Sequence, residues 1–219
     1  MHISNINNFV NLKNYILSKS NFYNNFIGLL ALVIKTTLTS PNIINIAAVI
    51  IFGISLILLY SASATYHLVV SSDNVIAFLR KIDHSMIFIL IAGSYTPFCL
   101  IGLKGIIGWI TFSVISTIAI CGVLFKMIWF NCPRWISTSI YIGMGWISIF
   151  IIVPLYNSIA LGGIALLVLG GILYTIGAVI YGLKPRALKF KNLGFHEIFH
   201  IFILLGSLAH FFAVFKYVI

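Results

Sequence analysis

The chain has 219 residues, of which 61% are hydrophobic and only 7% carry a charge, and its formal net charge is +10. Soluble domains contain roughly 25% charged residues, so this composition excludes an ordinary soluble enzyme and predicts a polytopic membrane protein. The three cysteines, Cys99, Cys121 and Cys132, lack CxxC spacing and indicate neither a disulfide framework nor a cysteine-based metal site.

The N-terminal segment is polar and rich in asparagine. It lacks the basic start, short apolar stretch and small-residue cleavage site of a signal peptide. We therefore predict a short cytoplasmic tail over residues 1–20, followed by a single transmembrane domain over residues 21–219.

Seven segments meet the requirement of about 20 mostly apolar residues for a helix that crosses a bilayer. They are predicted at about 22–40, 43–70, 83–103, 106–127, 135–154, 158–182 and 195–217. The first is the weakest, because Lys35 and the threonines after it interrupt the apolar run. Pro97 lies inside the third and should bend it. The sixth contains glycines that we interpret as a packing surface, namely Gly162, Gly163, Gly170, Gly171 and Gly177.

Basic residues are unevenly distributed between the two ends of these segments. The N-terminal tail and the second, fourth and sixth loops hold ten of them, and the opposite side holds only Lys35, Lys104 and Lys216. Because positively charged loops remain in the cytoplasm, we predict an all-α membrane protein with seven transmembrane helices, a cytoplasmic N-terminus and an external C-terminus. Topology and attraction to anionic headgroups explain the net charge, so we expect no nucleic-acid partner.

Three polar fragments lie at predicted cytoplasmic helix ends. They are Ser63 to His67, Lys81 to His84, and His196 to His200. Residues four apart share a helix face, so Ser63 lies on the face of His67 and His196 on that of His200. Catalytic zinc sites typically have three protein ligands and leave one coordination position open. We therefore predict a zinc site with His67, His196 and His200 as ligands.

Asp83 and Ser63 are the candidate catalytic residues beside this ion. A carboxylate at Asp83, predicted to open the third helix, can orient a metal-bound water and take its proton. Ser63 can hydrogen-bond the water or the developing oxyanion. The alternatives are a helix-dipole role for Asp83 and a hydroxyl of Ser63 that returns to its own backbone. Iron or manganese can also occupy similar ligands.

Two further histidines are interpreted as outside the metal site. His84 points about 100° away from Asp83 around the helix, which favours packing or a hydrogen bond to a loop over metal ligation. His210 lies ten residues beyond His200, roughly 15 Å deeper along the helix, which is too far to share the same ion.

Glu197 makes the fragment from His196 to His200 match the letters of the HExxH zinc-peptidase signature. It is therefore a second candidate general base. The alternative is that Glu197 faces the cytoplasm and pairs with Arg80 or Lys191.

The run from Asp83 to Pro97, the fragment from Ser63 to His67 and the stretch from His196 to Phe211 together resemble the bacterial hemolysin III family. That family is related to the progestin and adipoQ receptors and, more distantly, to the alkaline ceramidases. The resemblance implies a seven-helix bundle with zinc near the cytoplasmic face. The implied ligands are the same three histidines, with Asp83 and Ser63 around the bound water. Asn25 stands where the family usually has a histidine.

Two classes of function follow from these features. The first is an intramembrane zinc hydrolase that cleaves an amide or ester of a lipid, which would reach the site by lateral diffusion. The alternative is a non-enzymatic protein, either a sensor of membrane homeostasis or a hemolysin-like lytic factor. Membrane lipids are the expected substrate or ligand in either class.

Overall fold

The computed structural model describes residues 23–103, 105–129, 132–185 and 195–219, except for the side chains of Arg134, His196 and Glu197. Within these ranges the protein is all-helical, as the composition predicted. The predicted tail over residues 1–20 lies outside the described residues.

The helices follow the predicted segments closely at most ends. Helix α1 covers residues 23–39, α2 Ile43–Leu68, α3 Asp73–Pro97 and α4 Ile106–Ile128. Helix α5 covers Arg134–Trp146, α6 Ile149–Tyr156, α7 Leu161–Leu183 and α8 Phe195–Ala213, and π-helical turns extend α3 over Phe98–Gly102 and α8 over Val214–Val218. In the described part of the chain, six segments are long and apolar enough to cross a bilayer, with α5 and α6 forming one of them. Helix α1 is not among the six, so the seventh span stays a prediction.

Helix α1 packs against both α2 and the C-terminal end of the chain. A Cβ added at Gly53 of α2 would lie 2.5 Å from the Leu29 side chain of α1. The Lys35 ammonium group donates a hydrogen bond to the Phe215 carbonyl and lies 4.5 Å from the centroid of the Phe215 ring. The charge that interrupts the first predicted segment therefore helps to hold α1 against the turn that follows α8.

Helices α7 and α8 approach closely along a glycine face. Gly163, Gly170 and Gly177 recur every seven residues, which keeps them on one side of a helix. A Cβ added at any of these three would lie within 2.8 Å of a side chain of α8 or of the turn after it. The packing interpretation is confirmed for these positions. It is wrong for Gly171, where an added Cβ would meet no atom within 4 Å.

Helix α3 begins ten residues earlier than predicted, at Asp73 instead of Asp83. The first turns of α3 are too polar to register as part of an apolar run, because they contain Asp73, Arg80 and Lys81. Arg80 and Lys81, predicted in the second loop, are therefore helical residues. Asp83 lies roughly 15 Å along the helix from its start, and the prediction that it opens the helix is wrong.

Pro97 marks the point where α3 changes from α to π geometry. The amide of Leu103 bonds to the carbonyl of Phe98, five residues earlier, at 2.8 Å. Proline has no amide hydrogen to donate to the preceding turn, and π turns are commonly inserted where the regular ladder is interrupted. Pro97 therefore coincides with a change of helix type, and the bend stays a prediction.

The fifth predicted segment is interrupted, and Tyr95 of α3 stabilises the interruption. Helix α5 ends at Trp146 and α6 begins at Ile149. The Tyr95 hydroxyl lies 2.6 Å from the Gly145 carbonyl oxygen and 3.0 Å from that of Met144. A backbone carbonyl without a hydrogen-bond donor is costly in a bilayer. The Tyr95 hydroxyl therefore supplies a hydrogen bond that a continuous helix would have made with its own amides.

Substitution of Tyr95 by phenylalanine is expected to lower the free energy of unfolding by about 1–3 kcal/mol, because the Met144 and Gly145 carbonyls lose the hydroxyl hydrogen that they share. Denaturant titration of the protein in detergent micelles measures this change. The control is Tyr156→Phe, since Tyr156 lies at the end of α6 and is 60% exposed. Equal losses of stability in the two variants would contradict a capping role for Tyr95.

Candidate functional site

The C-terminal end of α2 and the N-terminal end of α8 meet through Ser63, His67 and His200. The Ser63 hydroxyl oxygen lies 3.2 Å from Nε2 of His200, and Ser63 is only 5% exposed. The rings of His67 and His200 are nearly perpendicular, with centroids 6.4 Å apart. Three of the five predicted site residues are thus brought together, and the Ser63 hydroxyl contacts a second helix.

The two imidazoles have the chemistry of zinc ligands, and their rings lie somewhat farther apart than a shared ion requires. Two imidazoles that bind one tetrahedral zinc ion, each at about 2.0 Å, have ring centroids roughly 5 Å apart. Since the observed separation is 6.4 Å, zinc binding requires an approach of about 1 Å between the rings. Neutral imidazole nitrogen is a preferred zinc donor, so the described residues are suitable for the ion.

His196, the third predicted ligand, lies one helical turn before His200 in the first turn of α8. Its side chain and that of Glu197 lie outside the described residues. Among the side chains that the structure does describe, no group of three or more His, Cys, Asp or Glu residues is placed to hold a metal ion. A complete three-histidine site therefore stays a prediction.

Asp83 is a buried residue in the middle of α3, with 2% of its surface exposed. Its Oδ2 atom lies 3.4 Å from Nδ1 of the neighbouring His84. The helix-dipole interpretation fails for Asp83 because such effects are confined to the first turn, where Asp73 is found instead. Ionisable groups at membrane depth are costly and usually serve a function, so a functional role is favoured for this carboxylate.

His84 holds α3 to two other helices, a role that the sequence only partly indicated. Nδ1 of His84 lies 2.9 Å from the Arg80 carbonyl oxygen, which only accepts, so Nδ1 carries a hydrogen. In the neutral ring Nε2 is then an acceptor, and the Tyr181 hydroxyl donates to it at 2.9 Å. The Tyr141 hydroxyl donates to the backbone carbonyl of His84 at 3.0 Å. His84 forms hydrogen bonds, but its partners lie on helices, so the predicted bond to a loop is wrong. Tyr141 and Tyr181 were not predicted, since a tyrosine in an apolar helix has no distinguishing spacing.

Asn25 lies in α1 at the position where the resemblance places a histidine. Its amide nitrogen Nδ2 is buried and has no hydrogen-bond partner among the described residues.

A cavity of about 130 Å³ begins beside this cluster and continues between α3, α5, α6, α7 and α8. Near the cluster it is lined by Tyr141 and Phe199, and the Phe199 ring lies 5.6 Å from that of His200. At the opposite end it is lined by Phe98 and His210. Phe199 and His210 are eleven residues apart on α8, which gives the cavity a length of roughly 16 Å.

The cavity is largely apolar and opens to one side. Three of its lining residues are partly exposed at the surface between α5, α6 and α7: Trp146 at 42%, Ile149 at 49% and Val168 at 38%. The described side chains of the predicted site do not line it. Tyr141 and Phe199 therefore separate the cavity from the cluster, and a ligand could enter the cavity from the bilayer.

Comparison with known proteins identifies relatives over most of the chain. A family model described as Haemolysin-III related matches residues 21–211. A protein of Bacillus subtilis named Hemolysin-3 homolog is 40% identical over 174 residues, covering 79% of this chain and 78% of the relative. Hemolysin-3 of Bacillus cereus is 41% identical over 177 residues, covering 80% and 76%. The human monocyte to macrophage differentiation factor is 24% identical over 177 residues, covering 76% and 68%.

Proposed function

The chain belongs to the haemolysin-III-related family, and we propose that it is a zinc-dependent hydrolase that cleaves an amide or ester bond of a lipid within the membrane. Family membership and its long apolar helices make it a multi-pass membrane protein. The observation that supports hydrolysis best is the contact between Ser63 and His200 beside His67. A buried carboxylate on a third helix, Asp83, adds the proton acceptor that hydrolysis needs.

The proposed ligands are His67, His196 and His200. When bound, zinc supplies a water whose pKa is lowered to about 7 and a positive charge that polarises the substrate carbonyl. Asp83 takes the proton of the attacking water on a carboxylate oxygen and returns it to the leaving amine or alcohol. Ser63 donates a hydrogen bond to the carbonyl oxygen as negative charge develops there. His84 positions Asp83 by holding the middle of α3 against α7.

The proposed location is the cytoplasmic leaflet of the bacterial inner membrane, with the N-terminus inside. Arg80 and Lys81 lie two to three residues before Asp83, in the N-terminal third of α3, and basic residues are concentrated on the cytoplasmic side of membrane proteins. Anionic headgroups would gather at this end of the bundle. A lipid substrate would reach the site by lateral diffusion within the leaflet.

A lytic function is the second candidate, because two relatives carry the name hemolysin. A lytic protein would release dye trapped in lipid vesicles without cleaving any lipid. A hydrolase would cleave a long-chain amide or ester carrying a fluorescent leaving group, and it would lose this activity when metal is removed. The two activities can be measured on one preparation of the full chain.

The zinc content of the purified protein tests the proposed metal site. Purified wild type is expected to contain about one zinc ion per chain, measured by elemental mass spectrometry. The double variant His196→Ala, His200→Ala is expected to contain none, because one remaining histidine ligand cannot retain the ion. The control is His84→Ala, which removes a histidine that is bonded to Tyr181 and Arg80 and should retain zinc. A folded wild type without metal would refute the hydrolase proposal.

A further inference from the structure

The polar side chains that line the cavity are mostly hydrogen-bonded to the protein itself. Ser94 donates to the Leu90 carbonyl at 2.9 Å, and Thr175 donates to the Gly171 carbonyl at 2.8 Å. The indole N–H of Trp146 donates to the Thr175 hydroxyl at 3.1 Å. Two further lining residues also use their hydroxyl groups for backbone carbonyls, namely Tyr95 and Tyr141. A ligand in the cavity therefore finds few hydrogen-bonding groups.

The lining of the cavity also lacks charged side chains. Among the described residues that surround it there is no lysine, arginine, aspartate or glutamate. His210, at the end far from the zinc ligands, donates from Nε2 to the Leu167 carbonyl at 3.2 Å. A polar headgroup would lose its hydration in this cavity without gaining partners, and a buried water needs about two to four polar partners. The cavity is therefore suited to a hydrocarbon.

The side opening of the cavity lies near the middle of a membrane-spanning segment. Helices α5 and α6 form one candidate span, Trp135–Tyr156, of 22 residues, and Trp146 and Ile149 of the opening lie near its centre. The hydrocarbon core of a bilayer is about 30 Å thick, so the centre of a span is roughly 15 Å from either headgroup region. The methyl ends of lipid tails from both leaflets meet at this depth. The opening therefore faces the ends of lipid tails.

Close packing, and not removal from water, favours the entry of a tail. Lipid tails are as apolar as leucine, so association within a bilayer depends on van der Waals contacts. Space beside packed side chains forfeits those contacts unless a chain fills it. The cavity volume of about 130 Å³ is close to that of a protein cavity that holds benzene, so about six carbons of a tail fit inside.

We propose that the cavity binds the methyl end of an acyl tail of a bilayer lipid. The tail enters past Trp146, Ile149 and Val168, which line the cavity and are partly exposed, and the headgroup stays at the membrane surface. Inside, the tail contacts buried lining residues such as Leu167 and Ile203. This site is separate from the proposed zinc ligands and does not depend on hydrolysis.

Val168 and Val179 of α7 offer a matched pair of variants that separates binding in the cavity from contact with the surrounding lipid. Val168 is 38% exposed and lines the cavity at its opening. Val179 is 40% exposed and does not line the cavity. Val168→Trp therefore places a large ring at the opening. Val179→Trp adds the same ring to the same helix away from the opening and is the control.

The experiment uses the full chain in nanodiscs of phosphatidylcholine that carries a photoreactive diazirine, either at the methyl end of one tail or beside the ester group of that tail. After illumination, proteolysis and mass spectrometry identify the labelled residues. The methyl-end probe is expected to label Leu167 and Ile203, which are only 8% and 4% exposed, and the ester-side probe should not reach them. Val168→Trp should lower this labelling at least about tenfold, because the added ring takes the space of the tail. Val179→Trp should leave it unchanged.

Labelling of Phe150, which is 81% exposed on α6, controls for the amount of lipid, and size-exclusion chromatography checks that each variant is folded. If Val168→Trp does not fold, Ile149→Trp tests the same opening from its other side. Three outcomes would overturn the proposal. They are the absence of methyl-end labelling at Leu167 and Ile203 in the wild type, equal labelling of these residues by the ester-side probe, and labelling that persists unchanged when the opening is blocked.

Discussion

Substitution of Asp83 by asparagine is expected to lower the rate of lipid hydrolysis by about 10²–10⁴ while zinc remains bound. Asparagine has nearly the same shape as aspartate but cannot accept the proton of the attacking water. The side chain of Asp83 is 2% exposed and sits against His84, so an isosteric replacement should keep the packing of α3. Hydrolysis of a fluorogenic long-chain amide or ester and zinc content are measured on the same preparation.

The control for this variant is Asp73→Asn. Asp73 lies in the first turn of the same helix and is exposed, so its replacement should leave both activity and zinc unchanged. Loss of zinc together with activity in Asp83→Asn would contradict the proposed role, because it would make Asp83 a ligand. Full activity in Asp83→Asn would leave the proposed hydrolase without its proton acceptor.

Gly170→Ala is expected to be the most destabilising single methyl addition in α7. The added Cβ would lie 2.3 Å from Cδ2 and Nε2 of His210 and 3.1 Å from the Gly206 carbonyl oxygen. His210 cannot turn away without breaking its bond to Leu167, so α7 and α8 must separate. Overpacking of this kind costs about 1–3 kcal/mol or more, which denaturant titration in micelles would detect.

Gly171→Ala, at the next residue of the same helix, provides the matched control. Its Cβ would meet no atom within 4 Å, and a glycine to alanine change in a helix without a clash is stabilising by about 0.4–1 kcal/mol. Gly170→Ala should thus lower the free energy of unfolding, and Gly171→Ala should raise it. Equal stabilities would show that α7 and α8 do not pack through Gly170.

Apolar segments predicted the helices well because a run of apolar residues is a local property. Residues 43–70 and 106–127 were predicted as spans, and the helices cover Ile43–Leu68 and Ile106–Ile128. The polar first turns of α3 were not predicted, because there the helix continues beyond the apolar run. Nor was the interruption after Trp146, which depends on a hydroxyl from Tyr95 on another helix.

The candidate site was predictable to the extent that it consists of short motifs. The i, i+4 spacing placed Ser63 and His67 on one face, and the structure brings that face to His200. The motifs contained no information on the burial of Asp83, on the tyrosines that hold His84, or on the end of the cavity at His210. Those features arise where residues from four helices meet.

The sequence by itself determined the membrane class, most helix bounds, the family and the motif residues, because hydropathy and short motifs are read from neighbouring positions. Only the tertiary structure decided that Ser63 contacts His200, that Asp83 is buried far from its helix start, and that His210 lies at the end of an apolar cavity. The physical reason is that each depends on which helix faces turn toward one another. That rotation is set by close contacts between distant segments, such as Gly170 against His210.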